Sequence, residues 1–439
     1  MKRSTLPWSA ALLCLLALHQ PAPCSAGPSP WIGDFGLNIG GHVRTTATVQ
    51  DDARGQLLPN EAGDTSADLT LETRLKGSLS LGPGLELTTH YQAWLETGDQ
   101  TRQDIRRASS PGPLQSIVPR PADGDELRFM DLTRTVSRSS ETRVTHRLDR
   151  LKLTLSRPWG RLSLGRQALT LGNGLIFNPM DLFNPFSPTA FLRDYKTGDD
   201  MAVLQVAPDS GGDIRFFHLP RRDPEGREIS WNQSSTGLAG QFFVGSTGIS
   251  LMAARHFKDR VVGLGLSGSL AAAAWRADLT WTDVDRSSLE TDFFSAVANL
   301  DRSWVWGGKN WYGLVEFFFS GIGESEPSQI LSSAELLERI SRGELFVLGR
   351  SYLAGMVRFE AHPLVNISTT MIANLEDESW LFQPKVTWSL AQNLDLLLGA
   401  TLASGPDQSE FGGYDVRLGL QEISISRPST VTLWLTAYF

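Results

Sequence analysis

Cysteine is almost missing from this chain: its 439 residues hold two, Cys14 and Cys24. Both lie in the first 26 residues, so the rest of the chain has neither a disulfide nor a thiolate metal site. The later histidines, His42, His90, His146, His218, His256 and His362, lack metal-ligand spacing, and no Ser–His motif accompanies them. No metal, cofactor or enzymatic activity is therefore expected. A basic excess is also lacking. Lys and Arg number 40 against 48 Asp and Glu, which argues against a nucleic-acid partner. Long apolar runs are absent too, since no segment after residue 26 has 18 consecutive apolar residues, and this excludes membrane-spanning helices. A mean hydropathy of -0.15 would ordinarily describe a soluble protein. It is uninformative for a transmembrane barrel, which needs apolar residues only at alternate positions.

The first 26 residues have an order of their own. Lys2 and Arg3 precede a short apolar stretch, Ala10 to Leu18, and then Pro21, Pro23 and Cys24-Ser25-Ala26. This is the pattern of a secretory signal peptide, residues 1–26, with cleavage after Ala26. Residues 27–439 would then form one domain. Its 38 basic and 48 acidic residues give a net charge of about -10. Regular patterning starts near Phe35, which leaves no room for a folded plug ahead of it.

Alternation is the strongest signal. At the C-terminus Val431, Leu433, Leu435, Ala437 and Phe439 oppose Thr430, Thr432, Trp434, Thr436 and Tyr438. Leu69, Leu71, Leu75, Leu79 and Leu81 oppose Asp68, Glu72, Arg74 and Lys76. After Gly82-Pro83-Gly84 the same pattern resumes with Leu85, Leu87 and Leu95 against Glu86, His90 and Glu96. A period of two marks strands with unlike faces. Short turns (82–84, 157–160, 209–212, 245–248, 362–364, 391–393) alternate with long connections (98–145, 173–200, 220–235, 321–350). Outer-membrane barrels show this asymmetry between their two rims.

Nineteen strands can be drawn, including 150–156, 161–171, 292–300 and 413–423. A bacterial barrel with both ends on one rim needs an even number. The expected fold is thus an all-β transmembrane antiparallel barrel of 16 or 18 strands, 18 preferred, and the surplus strand is sought at 292–310. The terminal strand resembles the closing strand of bacterial outer-membrane barrels. That resemblance implies an outer-membrane location, contact with its lipid, Phe439 as a signal to the barrel-assembly machinery, and room for a homo-oligomer. Inward charges are expected at Glu72, Arg74, Lys76, Glu86, Arg150, Lys152, Arg276 and Glu316, lining a wet lumen.

Residues 165–188 are the least barrel-like. Gly165-Arg166-Gln167 leads into Gly172-Asn173-Gly174 and then two Phe-Asn-Pro triplets, at 177–179 and 183–185. Asn before Pro is excluded from the α region, so the loop has little backbone freedom. With Leu175, Ile176, Phe177, Met180, Leu182, Phe183 and Phe186 it is also too apolar to hang in solvent. By strand order the loop 173–200 comes after the fifth strand, and there it resembles the loop of general bacterial porins that folds into the lumen, so 173–200 is expected to fold inward. The Gly-Arg-Gln and Asn-Pro-x-Asp elements resemble large outer-membrane barrels and barrels that export polysaccharide such as alginate. The porin loop's usual Pro-Glu-Phe-Gly-Gly is absent. The resemblance implies a constriction, built from Arg166, Asp181, Arg193, Asp194, Lys196 and Asp199. Strict alternation would send Arg166 into lipid, at roughly 2–4 kcal/mol. A β-bulge at Gly165 would instead turn Arg166, Ala168 and Thr170 inward and Leu169 and Leu171 outward, letting Arg166 pair with Asp181, Asp194 or Asp199. Residues 194–200 are either a weak Ca²⁺ loop or a solvated acidic one.

Ser332-Ser333-Ala334-Glu335 reads as a capping box and Gly343 as a C-cap, predicting a helix whose face carries Leu336, Leu337 and Ile340. It covers the pore mouth or lies free on the surface. The expected function is a channel for small polar solutes. Mixed charge signs argue against strong ion selectivity. Passage of a polymer or apolar compound, a closed structural barrel and a barrel hydrolase remain as alternatives.

Overall fold

The computed structural model describes residues 36–51, 65–109, 125–191, 194–208, 211–226, 228–285, 292–324, 326, 333–418, 421–425 and 427–439. Its strands run in chain order as β1 Leu37–Asp51, β2 Thr65–Gly82, β3 Leu85–Gly98, β4 Thr133–Arg138, β5 Thr142–Arg157, β6 Gly160–Gln167 and β7 Asp199–Val206. Then come β8 Asp213–Leu219, β9 Ser235–Val244, β10 Thr247–His256, β11 Asp259–Leu270, β12 Ala273–Asp283, β13 Phe293–Trp306 and β14 Lys309–Ser320. The last are β15 Ser351–His362, β16 Val365–Asn374, β17 Trp380–Ala391, β18 Leu394–Ser404, β19 Tyr414–Leu418, β20 Gln421–Ile425 and β21 Thr430–Tyr438. Two helices, α1 Asp99–Ser109 and α2 Ala334–Ser341, lie in loops.

Eighteen strands form one closed antiparallel barrel. It closes where β1 pairs with β21, from His42↔Tyr438 to Gln50↔Thr430. The surplus strand is not at 292–310, where β13 is a full 14-residue stave. It is the 413–423 segment, which forms the two-stranded hairpin β19–β20 outside the barrel. β4 adds only a short ladder to the upper half of β5. Strand β5 itself starts at Thr142, well before the expected 150, because a register break between Leu148 and Arg150 interrupts its alternation at Asp149.

Tight turns gather on the rim that also holds both ends of the barrel, as at 83–84, 245–246 and 307–308. At the first of these Gly82 and Gly84 have φ of +140° and +71°, conformations that glycine alone adopts without strain. The opposite rim carries the long loops, with two short exceptions at Phe257–Lys258 and 375–379. Outward residues such as Leu75, Leu153, Leu251, Leu264, Leu279, Phe317, Leu398 and Leu433 are exposed, the apolar belt that lipid would cover. The interior is not uniformly wet, contrary to expectation. Inward Phe217, Met252 and Val261 form one buried apolar cluster, and inward Leu314, Phe318, Tyr352 and Ile372 another. Both clusters exist because a loop fills the space beside them.

Candidate functional site

That loop is 168–198, directly after β6, the fifth stave. Its prolines and aromatic residues fold inward. Ile176, Phe177, Met180 and Phe183 are each under 5% exposed. Phe183 packs edge-on against Phe217 at 4.8 Å, and Phe177 stacks on Phe318 at 4.5 Å. Burying each such side chain is worth about 1.5–3 kcal/mol, which is why so apolar a loop enters the lumen.

One end is fastened to the β12–β14 wall. Asp278 accepts from the backbone N–H of Asn173 (2.5 Å) and Gly174 (3.1 Å) and from Asn173 Nδ2 (2.7 Å). Glu316, fully buried, accepts from the N–H of Leu175 (2.8 Å), Ile176 (3.0 Å) and Phe177 (2.6 Å) and from Asn299 Nδ2 (3.0 Å). The other end meets the β1–β2–β5 wall. Arg44 donates to Asp194 at 2.6 Å, Lys76 to the Tyr195 hydroxyl, and Arg150 to the Lys196 carbonyl at 2.6 Å. The Tyr195 ring lies under the Arg74 guanidinium at 4.3 Å. Asp149 ties this end together, accepting from Arg74 (2.8 Å), Arg150 (2.9 Å) and the Gly198 N–H (3.2 Å). A Cβ on Gly198 would sit 2.3 Å from the Asp149 carbonyl, so only glycine permits this approach. Since β2 is the second stave and β12 the eleventh, the loop straps across the full width of the ring. A third contact, Gln383 Nε2 to the Thr189 carbonyl at 3.0 Å, touches β17.

Arg166 is not part of the strap's fastening. The ladders run in step through Gly165 (Lys152↔Gly165, Leu151↔Arg166, Arg166↔Asp200), so the expected bulge is absent there, although Gly165 has φ +110°. Arg166 is 1% exposed and donates to Asp200 (2.9 and 3.0 Å), Asp125 (2.9 and 3.0 Å) and the Met130 carbonyl (2.6 Å). Its partners are thus not Asp181, Asp194 or Asp199. Burial raises the Asp125 carboxyl, but Arg128 and Arg166 outweigh it and hold the group below its usual value. Asp199 belongs to the same rim network through Arg221 at 2.7 Å. Leu169 and Leu171, expected to face outward, are buried inside because β6 ends at Gln167 and the chain then turns in.

Lys196 pairs with Asp181 and donates to Thr170 Oγ1 at 2.8 Å. Burial pushes the Asp181 carboxyl up to about 6 against the pull of Lys196. Arg193 lies outside the described residues. Among the described residues no group of His, Cys, Asp or Glu is placed to hold a metal. Asp194, Asp199 and Asp200 go to three different arginines rather than converging.

Of the other inward charges, Glu72 accepts from Gln92 (2.8 Å), and Arg276 reaches Asp301 and Asn299. Glu86 and Lys152 share inward positions in the β3–β5 ladder, Glu86↔Thr154 and Thr88↔Lys152. Phe439 closes the barrel: its carbonyl accepts from the Gly41 N–H at 2.9 Å, and its N–H donates to the Gly41 carbonyl at 3.1 Å. The sequence does not reveal Arg44, Asp125, Asp149, Tyr195 or Asp200 as partners. Only strand parity points to Arg44, which alternates with His42.

The helix expected near 332–343 is α2. Ser333 rather than Ser332 is its N-cap, accepting from the Leu336 N–H at 3.3 Å, and Gly343 has φ +71°. It is packed against the barrel and does not lie free on the surface. Leu336 is fully buried, and Arg339 reaches Asp259 at the head of β11.

No protein-family model matches the chain, and no curated protein sequence matches it. Solved structures do share its fold. Acinetobacter baumannii OccAB2 is 9% identical with a TM-score of 0.52, covering 93% of this chain and 99% of its own. Pseudomonas aeruginosa OccK2 (OpdF), solved with glucuronate, is 9% identical with a TM-score of 0.52, covering 92% and 98%. Pseudomonas aeruginosa OccK9 (OpdG) is 12% identical with a TM-score of 0.51, covering 92% and 98%. The fold is that of outer-membrane β-barrels.

Proposed function

We propose that the chain is an outer-membrane channel for small polar solutes, made after removal of residues 1–26 and narrowed by the 168–198 strap. The observation that carries this is the strap itself, anchored on one wall by buried hydrogen bonds and on the opposite wall by a part-buried ion pair. A barrel that served only as a scaffold has no need of a device set across its bore. Arg166, Asp181, Asp194, Lys196 and Asp199 act here through the strap and the rim that holds it. OccK2's glucuronate, a small polar acid, supports a solute of that size. Outer-membrane lipid, the assembly machinery acting on Phe439 and further copies of the chain are its partners on this reading.

Single-channel recording in planar bilayers tests it. Discrete conductance steps are expected, blocked by solutes of the size admitted, and a correctly folded barrel that passes no current would overturn the proposal. The two apolar clusters that grip the strap favour a second reading, a closed structural barrel. The same recording separates the two. Transport of a polymer, by likeness to the polysaccharide exporters, requires the strap to leave the bore, and a cross-link between residues 194 and 44 that abolishes passage would support it.

A further inference from the structure

The outer face of the β10–β11 hairpin changes character in one step. Going up it towards the long-loop rim, the outward cross-strand pairs are Leu251↔Leu264, Ala253↔Val262 and Arg255↔Arg260. On β12 the same three levels read Leu279, Trp281 and Asp283. Leu251, Leu264, Leu279, Val262 and Trp281 are exposed members of the apolar belt, and an outward tryptophan marks its boundary with the headgroups. The arginines stand roughly 7 Å above that boundary, two residues further along their strands. Like charges directly opposite in a sheet repel. Arg255 donates only to neutral acceptors, the Trp231 carbonyl (2.5 Å) and Asn232 Oδ1 (3.0 Å). Arg260 is 81% exposed, and its carboxylate neighbour Asp283, 3.6 Å away, is 43% exposed. Lys258, exposed in the turn between the two arginines, has no ion-pair partner among the described residues. Trp231 steadies Arg255, its ring lying 5.0 Å from the guanidinium and 6.2 Å from the His218 ring. Elsewhere the same rim is different. Among the described residues, outward strand positions on the long-loop half of the staves from β13 round to β3 carry no cation. Phe294, Phe317, Leu353, Leu402, Val49 and Leu95 stand there instead.

We propose that this patch binds the phosphate of a net-anionic lipid in the outer leaflet, held by Arg255 and Arg260 with Lys258 as a supporting charge. A phosphate between the arginines removes their mutual repulsion and engages the guanidinium forks, which match its oxygens two at a time. The acyl chains of the same lipid lie along Leu251, Leu264 and Val262 below. A lipid therefore gains from both levels, as a free ion does not. Basic clusters beside a membrane surface recognise anionic headgroups in this way. The proposal rests on the outer-membrane location and not on conduction.

The test uses the full chain folded in detergent, its closure verified by heat-modifiable gel migration. Native mass spectrometry compares retention of bisphosphorylated lipid A with that of zwitterionic phosphatidylcholine at the same micelle fraction. Lipid A should bind about tenfold more tightly, the worth of a charge-assisted hydrogen bond, and should raise the thermal midpoint. Arg255→Gln and Arg260→Gln should each remove most of that preference. Arg302→Gln, which changes an exposed outward arginine of β13 near the short-turn rim, should keep it. Equal retention of the two lipids, an undiminished preference in the folded double variant, or an equal loss in Arg302→Gln would overturn the patch. So would inorganic phosphate that gives the same thermal shift as lipid A, the mark of a free-ion site. Lipid A preference in a barrel that carries no current would leave the patch standing and end the channel reading. Current without that preference would do the reverse.

Discussion

The two ends of the strap are held by unlike chemistry. At the β12–β14 wall, two carboxylates receive five backbone N–H groups of residues 173–177. At the β1–β2–β5 wall, two backbone groups are held, the Lys196 carbonyl by Arg150 and the Gly198 N–H by Asp149. The loop's own side chains supply the rest, with Asp194 on Arg44 and Tyr195 beside Arg74 and Lys76. The first end is buried: Glu316 is fully so and Asp278 nearly so. The second is partly open, Asp194 being 42% exposed. Backbone donors have fixed geometry and cannot move away from their acceptors without melting the loop, whereas exposed side chains can exchange partners with water. The first end is therefore the hinge of the strap and the second its catch.

Glu316→Ala should break that contrast most severely. It leaves three N–H groups and the Asn299 amide without a partner, each costing about 1–3 kcal/mol when buried. Residues 173–177 should leave the wall, and single-channel conductance should rise more than in any variant at the other end. Conductance like wild type in a closed, inserted barrel would show that the apolar clusters alone hold the strap. Asp278→Asn should do less, since an asparagine oxygen still accepts from Asn173 or Gly174.

Asp194→Ala should give a smaller rise, because an exposed ion pair is worth about 0–1 kcal/mol. If instead it matches Glu316→Ala, the catch and hinge are misassigned. Arg166→Ala sharpens the comparison from outside. It strands Asp125 and Asp200 at about 3–5 kcal/mol, enough to lower thermal stability and loosen the 125–132 segment. Because neither partner lies on the strap, conductance should change less than in Asp194→Ala. Arg166→Lys should recover only part of the stability, since an ammonium cannot make the two-point contact seen with Asp200.

How far the sequence shows these features depends on the same chemistry. The catch is legible in part, since alternation alone turns Arg74, Lys76 and Arg150 inward. The hinge is not, because backbone donors leave no mark on the identities of residues 173–177. Glu316 and Asp278 read only as two inward charges, with nothing to say that they face amides rather than water. The fold is legible wherever a stave keeps a period of two, and fails where that period is shared or broken. The β19–β20 hairpin alternates as a stave does, and so reads as one. The top of β5 is hidden because the register break at Asp149 shifts the parity between Leu148 and Leu151. Arg166 misleads because the loops at 125–132 and 220–222, far off in sequence, supply its surroundings.

The smallest effect is that of pH on the middle of the strap. Asp181 has Lys196 on one oxygen, Thr170 close to that lysine, and Arg339 and Glu344 across a cleft from the α2 side. Burial raises its carboxyl from 3.8 to about 6, so the folded loop holds that proton more tightly than an unfolded one. Stability from this group is accordingly lowest above pH 6 and recovers as pH falls from about 6 towards 4, by at most about 3 kcal/mol. Glu344 and Asp125 work in the opposite sense, but their carboxyls are held below the usual range, so their loss starts only at lower pH. Between pH 7.5 and 5.5, then, amide exchange in residues 177–186, corrected for intrinsic rates, should slow in wild type and stay level in Asp181→Asn. Equal slowing in both proteins would mean that another group titrates there, and would remove Asp181 from the account of how the strap is held.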